Sequence, residues 1–134
     1  MYKIKTSANF EAAHRLSNYK GKCNSLHGHN WKVDLEIDSS VLNSEEMVFD
    51  FKNLKKILEE FDHKILLKEN SENKKISASL PKDWIKWLNF EPTAEQLAKY
   101  LCEKIFAMIK VECVIITVWE NDKSCAKFVK NSNK

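Results

Sequence analysis

The sequence predicts an α+β domain: a four-stranded antiparallel sheet with two helices on one face, in the order β-β-α-α-β-β. Two early segments alternate apolar and polar residues with period two, and two central ones repeat apolar residues at three- and four-residue steps. A β-branched run then closes the pattern near the end. With 134 residues, 43% hydrophobic and 31% charged, the chain suits one domain with its own core.

In the first strand, residues 2 to 14, Tyr2, Ile4 and Thr6 alternate with Lys3, Lys5 and Ser7, and the phase continues to Phe10, Ala12 and His14. A second strand starts at His27, with His27, His29, Trp31, Val33, Leu35 and Ile37 on one face and Lys32, Asp34, Glu36 and Asp38 on the other. Residues two apart on a strand point the same way, so both histidines look toward the face that Trp31 and Val33 bury. Phe51, Leu54, Leu58, Phe61 and Ile65 predict a helix from about Asp50, its cap, to the mid sixties, with His63 near its C-terminal end. Pro92, with Thr93 and Gln96 in capping-box spacing, announces a second helix through Leu97, Leu101, Ile105 and Met108 to about Lys110. Cys113 to Glu120 and Cys125 to Lys130 complete the strands, joined by the polar turn at Asn121–Ser124. Between the helices, residues 68 to 91 are polar and then apolar at Trp84, Ile85, Trp87 and Leu88, partly a loop, with the Trp pair either a docked helical turn or a lid or subunit contact.

Of the 22 basic and 19 acidic residues, four lysines and one acid fall in the last thirteen positions, so the body is balanced. A neutral body with a modestly basic tail argues against a nucleic-acid or membrane partner. No segment approaches the ~20 apolar residues that span a bilayer, and the start lacks a secretory apolar core, so a cytoplasmic protein is expected. Four scattered cysteines without a C-x-x-C pair suggest neither a cysteine zinc site nor a disulfide framework. Two glycines exclude a glycine-rich phosphate cradle.

His14 in one strand and the His27-Gly28-His29 run in the next offer three convergent neutral nitrogens, the donor set of an open, catalytic zinc site. Each histidine taken singly is more often a satisfied core or surface residue than a ligand. Cys23 lies four residues before His27 beside lysines that favour a thiolate, and otherwise is a plain loop cysteine. Asp62-His63 offers a carboxylate-oriented imidazole to activate a thiol, or simply a charged helix end. Glu120 ends an apolar strand, and with Arg15 the only arginine, its partner is either water or a ligand with two parallel N–H groups.

F-E-A-A-H-R-L at 10–16, C-N-S-L-H-G-H at 23–29, M-V-F-D-F at 47–51, D-H at 62–63, P-T-A-E at 92–95 and W-E at 119–120 together resemble the 6-pyruvoyl-tetrahydropterin synthase superfamily over nearly the whole chain. The resemblance implies Zn2+ on His14, His27 and His29, a catalytic set of Cys23, Asp62 and His63, a pterin anchor at Glu120, and further pterin contacts at Thr93 and Glu95. Three residues between Cys23 and His27 are similar to the bacterial 6-carboxy-tetrahydropterin synthases of queuosine biosynthesis. That implies a lyase acting on 7,8-dihydroneopterin triphosphate, in a tunnel-fold homo-oligomer, a hexamer, with the pterin site between subunits. Two other readings stay open: a pyruvoyl-type enzyme that only eliminates triphosphate, and a non-catalytic metal-binding assembly protein. Where the family commonly follows D-H-x-x-L with Asn, Leu67 follows Leu66, and residues 68 to 91 are longer than in compact members, an insertion expected to bear on oligomer contacts or substrate access.

Overall fold

The computed structural model describes residues 1–21 and 24–132, so Cys23 lies outside the described residues. Strands β1 (Tyr2–His14) and β2 (His27–Ser39) form the longest pairing, antiparallel over thirteen residue pairs from Tyr2↔Ser39 to His14↔His27. Next come α1 (Lys52–Leu58), β3 (Lys64–Lys68), α2 (Ser71–Ile76), a 3-10 turn (Lys82–Trp84), β4 (Ile85–Leu88), α3 (Ala94–Met108), β5 (Cys113–Trp119) and β6 (Cys125–Asn131). The sheet runs β4-β3-β1-β2-β5-β6, with β3 parallel to both β1 and β4 and the other pairs antiparallel.

Among the described residues, the four expected strands are therefore β1, β2, β5 and β6 of a mixed six-stranded sheet, and the expected two helices are three. The helix placed from Asp50 to the mid sixties stops at Leu58, and the chain turns through residues 59–63 to His63, whose left-handed backbone, φ 63°, immediately precedes β3. Ile65 fitted the helical period, but Leu66 and Leu67 are both buried. A strand covered on both faces reads as a continuous apolar run that period alone does not separate from a helix. Residues 68–91 hold α2, the 3-10 turn and β4, with Trp84 exposed in the turn and Trp87 in the edge strand.

One face of the sheet carries the core. Phe10, Trp31, Leu35, Val114 and Ile116 from the strands meet Leu54 and Leu58 of α1 and Leu97, Leu101 and Ile105 of α3. Phe10 and Trp31, paired in register, stack with planes 4° apart, and the Trp31 indole N–H donates to the Ala12 carbonyl at 3.2 Å. Thr93 caps α3 by accepting the Gln96 N–H at 3.1 Å, as its sequence predicts. On the opposite face charges alternate in register, Lys3 across from Asp38 and Lys5 from Glu36. Asp34 departs from the solvated face expected there: it is buried, accepting from Ser7 Oγ at 2.6 Å and from the Trp119 indole at 2.9 Å.

Arg15, the only arginine, is buried and spent on structure. Its Nε donates to the Asn24 carbonyl (2.8 Å), Nη1 to Asn73 Oδ1 (2.7 Å) and Nη2 to Asn24 Oδ1 (3.0 Å) and Glu72 Oε2 (3.0 Å). Asn73, fully buried in α2, also donates to Ser17 Oγ and the Lys68 carbonyl. The network ties α2 to the chain that follows β1. Asn73→Ala removes an acceptor from a buried guanidinium, which costs about 2–4 kcal/mol. Urea unfolding of this variant is expected to show a lower midpoint at unchanged slope; a midpoint equal to that of the unmodified chain contradicts the bracing role.

Candidate metal centre and adjoining cleft

The β1–β2 register sets His14 opposite His27 and Ala12 opposite His29, so three imidazoles leave the core face at one end of the pair. Ring centroids lie 4.6 to 5.2 Å apart, all edge-on, and the Trp31 ring floors the cluster 4.9 Å from His14 and 5.3 Å from His29. His14 Nδ1–H donates to the Pro92 carbonyl at 2.7 Å, and His27 Nδ1–H to the Ser25 carbonyl at 2.8 Å. A carbonyl only accepts, so both rings carry the proton on Nδ1 when neutral and turn Nε2 lone pairs inward.

Those two Nε2 atoms are 3.1 Å apart, and one donor atom from each of the three histidines falls within 4.8 Å of the others. Burial pushes His14 down to about 4, with His27 and His29 adding to it against the Pro92 hydrogen bond, so the ring is neutral at pH 7. Burial also lowers His29, against the opposing charge of Glu120. His29 Nε2 is buried with no hydrogen-bond partner among the described residues. Facing lone pairs with no proton between them repel, and a cation relieves all three at once. Tetrahedral zinc with bonds of about 2.0–2.1 Å spaces its nitrogens by about 3.3–3.4 Å, close to the 3.1 Å between the His14 and His27 Nε2 atoms. The donor set fits zinc, and the backbone carbonyls that fix the ring tautomers are the outer partners such a centre uses.

Glu120 follows β5 and aims at the same point, its Oε2 3.5 Å from His14 Nε2 and 3.8 Å from His29 Nε2. Arg15 is committed elsewhere, as its network shows. Glu120, Thr93 and Glu95 line one cleft of about 230 Å³, together with Leu16, Tyr19 and Cys125. Leu16 and Tyr19 went unnoticed in the sequence, since nothing in the spacing of that polar segment marks a cleft wall. Pro92 signalled only a helix start there, and its carbonyl proves to hold His14.

Asp62 and His63 form their pair, Oδ1 to Nδ1 3.1 Å. Asp62 also accepts the Glu11 N–H at 2.8 Å. Desolvation raises its pKa, yet the Glu11 hydrogen bond and the charges of Lys55 and His63 together hold it below the usual carboxylate value. The His63 N–H donates to the Glu11 carbonyl, three residues before His14 on β1 and so about 10 Å along the strand. The exposed His63 ring borders a different cleft of about 520 Å³, with Glu11, Gly28, His29, Asn30 and Trp84. Within one chain, then, His63 and Glu120 do not line the same cleft.

Fold and site define an α+β domain that presents a three-histidine centre able to hold a metal, with a carboxylate at its open side. A family model described as 6-pyruvoyl tetrahydropterin synthase matches residues 3–131. The 6-carboxy-5,6,7,8-tetrahydropterin synthase of Aquifex aeolicus is 30% identical, with 95% of this chain and 97% of that protein covered. Its counterpart from Haemophilus influenzae is 29% identical, with 96% and 99% covered. A catalytic-residue mutant of Plasmodium vivax 6-pyruvoyltetrahydropterin synthase is 20% identical and shares the fold, with a TM-score of 0.74 over 97% of this chain and 98% of that one. The chain belongs to the 6-pyruvoyl tetrahydropterin synthase family and is an enzyme of the tetrahydropterin synthase kind.

Replacing His27 and His29 together by alanine leaves His14 as a single donor, and metal analysis of the folded variant is expected to show near-complete loss of zinc from about one per chain. Full retention of zinc contradicts the three-histidine assignment.

Proposed function

We propose that the protein is a zinc-dependent lyase that converts 7,8-dihydroneopterin triphosphate and one water to 6-carboxy-5,6,7,8-tetrahydropterin, acetaldehyde and triphosphate. The observation that carries the reading is the convergence of His14, His27 and His29 beside the Glu120 carboxylate, at the mouth of a cleft. Relatives of matching length that bear the carboxy-enzyme name favour this product over the pyruvoyl one.

Zinc held by the three histidines supplies Lewis-acid polarisation of a substrate oxygen and stabilises negative charge as it develops. Glu120, its side chain 28% exposed, accepts the ring N–H and exocyclic amine of the pterin in parallel, which fixes the reacting carbon beside the centre. Thr93 and Glu95, on the same cleft, flank that anchor. The Cys23 thiolate moves the proton at the carbon next to the ring, and His63, oriented by Asp62, takes and returns it. His63 lines a different cleft from Glu120, and in an assembly a second copy of the chain would bring its Asp62-His63 pair to the Glu120 cleft. The edge strands β4 and β6 leave backbone groups that such an assembly pairs.

Incubation with 7,8-dihydroneopterin triphosphate is expected to release acetaldehyde and triphosphate in equal amounts. Triphosphate without acetaldehyde contradicts the carboxy reading and identifies a pyruvoyl-type reaction. Cys23→Ala is expected to keep zinc and lose roughly two or more orders of magnitude in turnover, the scale of a general base. Turnover at the unmodified rate moves the base elsewhere.

A further inference from the structure

The segment that follows β1 contributes to the wall of the small cleft, and one side chain on it lies outside the core. Tyr19 is a large aromatic, 51% exposed, absent from the core cluster, and it lines the cleft that Glu120, Thr93 and Glu95 share. Its position is prepared on both sides. The Tyr19 N–H donates to the Leu16 carbonyl at 3.4 Å, and the Asn24 N–H closes onto the Gly21 carbonyl at 3.1 Å. The Asn24 side chain in turn donates to the carbonyls of Leu16 and Ser17 (both 3.3 Å) while Arg15 grips its backbone and side-chain oxygens. Gly21 has φ +156°, and a Cβ there would stand 2.8 Å from Tyr19 Cε2. The ring thus lies close to a residue whose missing side chain leaves room for it.

We propose that Tyr19 supplies the aromatic face on which the pterin ring anchored by Glu120 stacks. This rests on the reading of the cleft as the pterin site. A pterin is a flat, polar bicycle. Glu120 satisfies one edge of it by hydrogen bonding, which fixes the ring in its plane but leaves both π faces without a partner. An aromatic side chain on the same cleft meets that need with area and offset stacking, and tyrosine does so with only two side-chain torsions to fix. The volume of about 230 Å³ is below the roughly 300 Å³ at which drug-sized pockets begin, and a thin ring is the kind of ligand it admits.

The test is a fluorescence titration of the zinc-loaded, full-length protein with neopterin, comparing Tyr19→Phe, Tyr19→Leu and Glu120→Gln. Tyr19→Phe keeps the ring and is expected to bind within about twofold of the unmodified protein, whereas Tyr19→Leu keeps apolar bulk without the ring and is expected to weaken binding about tenfold, within the range that loss of an aromatic stacking partner costs a nucleobase site. Because Tyr19 lies outside the core, melting temperature and zinc content are expected to stay unchanged in both. Neopterin affinity unchanged in Tyr19→Leu overturns the stacking role, and so does an equal loss in Tyr19→Phe, which would assign the effect to the hydroxyl. Glu120→Gln separates the two readings. If it loses affinity while Tyr19→Leu does not, the cleft holds pterin without Tyr19; if it also binds neopterin normally, or if the unmodified protein binds none, the pterin reading of the cleft falls and the stacking role with it.

Discussion

Everything at the site depends on the antiparallel register of β1 and β2. Thirteen consecutive pairs without a bulge carry His14 opposite His27 and Ala12 opposite His29. A slip of one residue would turn every side chain of one strand to the other face, sending His27 and His29 to the charged side while Trp31 and Val33 left the core. Register is held by the Phe10–Trp31 stack on one face and by the Lys3–Asp38 and Lys5–Glu36 oppositions on the other. The fully buried Trp31, Val33, Leu35 and Ile37 make the wrong register costly, and so the core determines where the nitrogens meet.

That constraint also sets the electrostatics. His14 is held near a pKa of 4 mainly by burial, so the fold keeps it neutral and a ready donor at physiological pH. Its Nδ1 proton goes to the carbonyl of Pro92, the residue just before the Thr93 cap, so the start of α3 both closes the helix and fixes the ring. Glu120 arrives from β5, whose pairing with β2 runs from Lys32↔Trp119 to Asp38↔Cys113. β1 and β5, distant in sequence, thus converge through their common pairing with β2, and the start of α3 joins them through the Pro92 carbonyl.

The parts legible in the sequence were those with a simple period. Strand parity placed His27, His29, Trp31 and Val33 on one face, and the cap and stripe of α3 gave its bounds within two residues. β3 was hidden because Leu66 and Leu67 are both buried, erasing alternation, and β4 because four residues are too few to show it. The left-handed backbone of His63, where the turns after α1 lead into β3, is announced by no neighbouring glycine. At the site, the convergence of the three histidines and the Asp62–His63 contact were readable from residue type and spacing. The separation of His63 and Glu120 into different clefts was not, since it depends on the parallel placement of β3 beside β1. Arg15 illustrates the opposite case: its scarcity correctly left Glu120 without a guanidinium partner, yet its own role in bracing α2 follows from Asn73 and Glu72, contacts 58 and 57 residues away.

The central claim, that this register builds a zinc centre of three imidazoles with one open position, is tested most directly by zinc-edge X-ray absorption on the purified full-length protein. The account predicts a four-coordinate ion with three nitrogen neighbours at about 2.0–2.1 Å, showing imidazole multiple scattering, and one further light ligand. A sulfur neighbour at about 2.3 Å, or a six-coordinate oxygen shell without imidazole scattering, would contradict it.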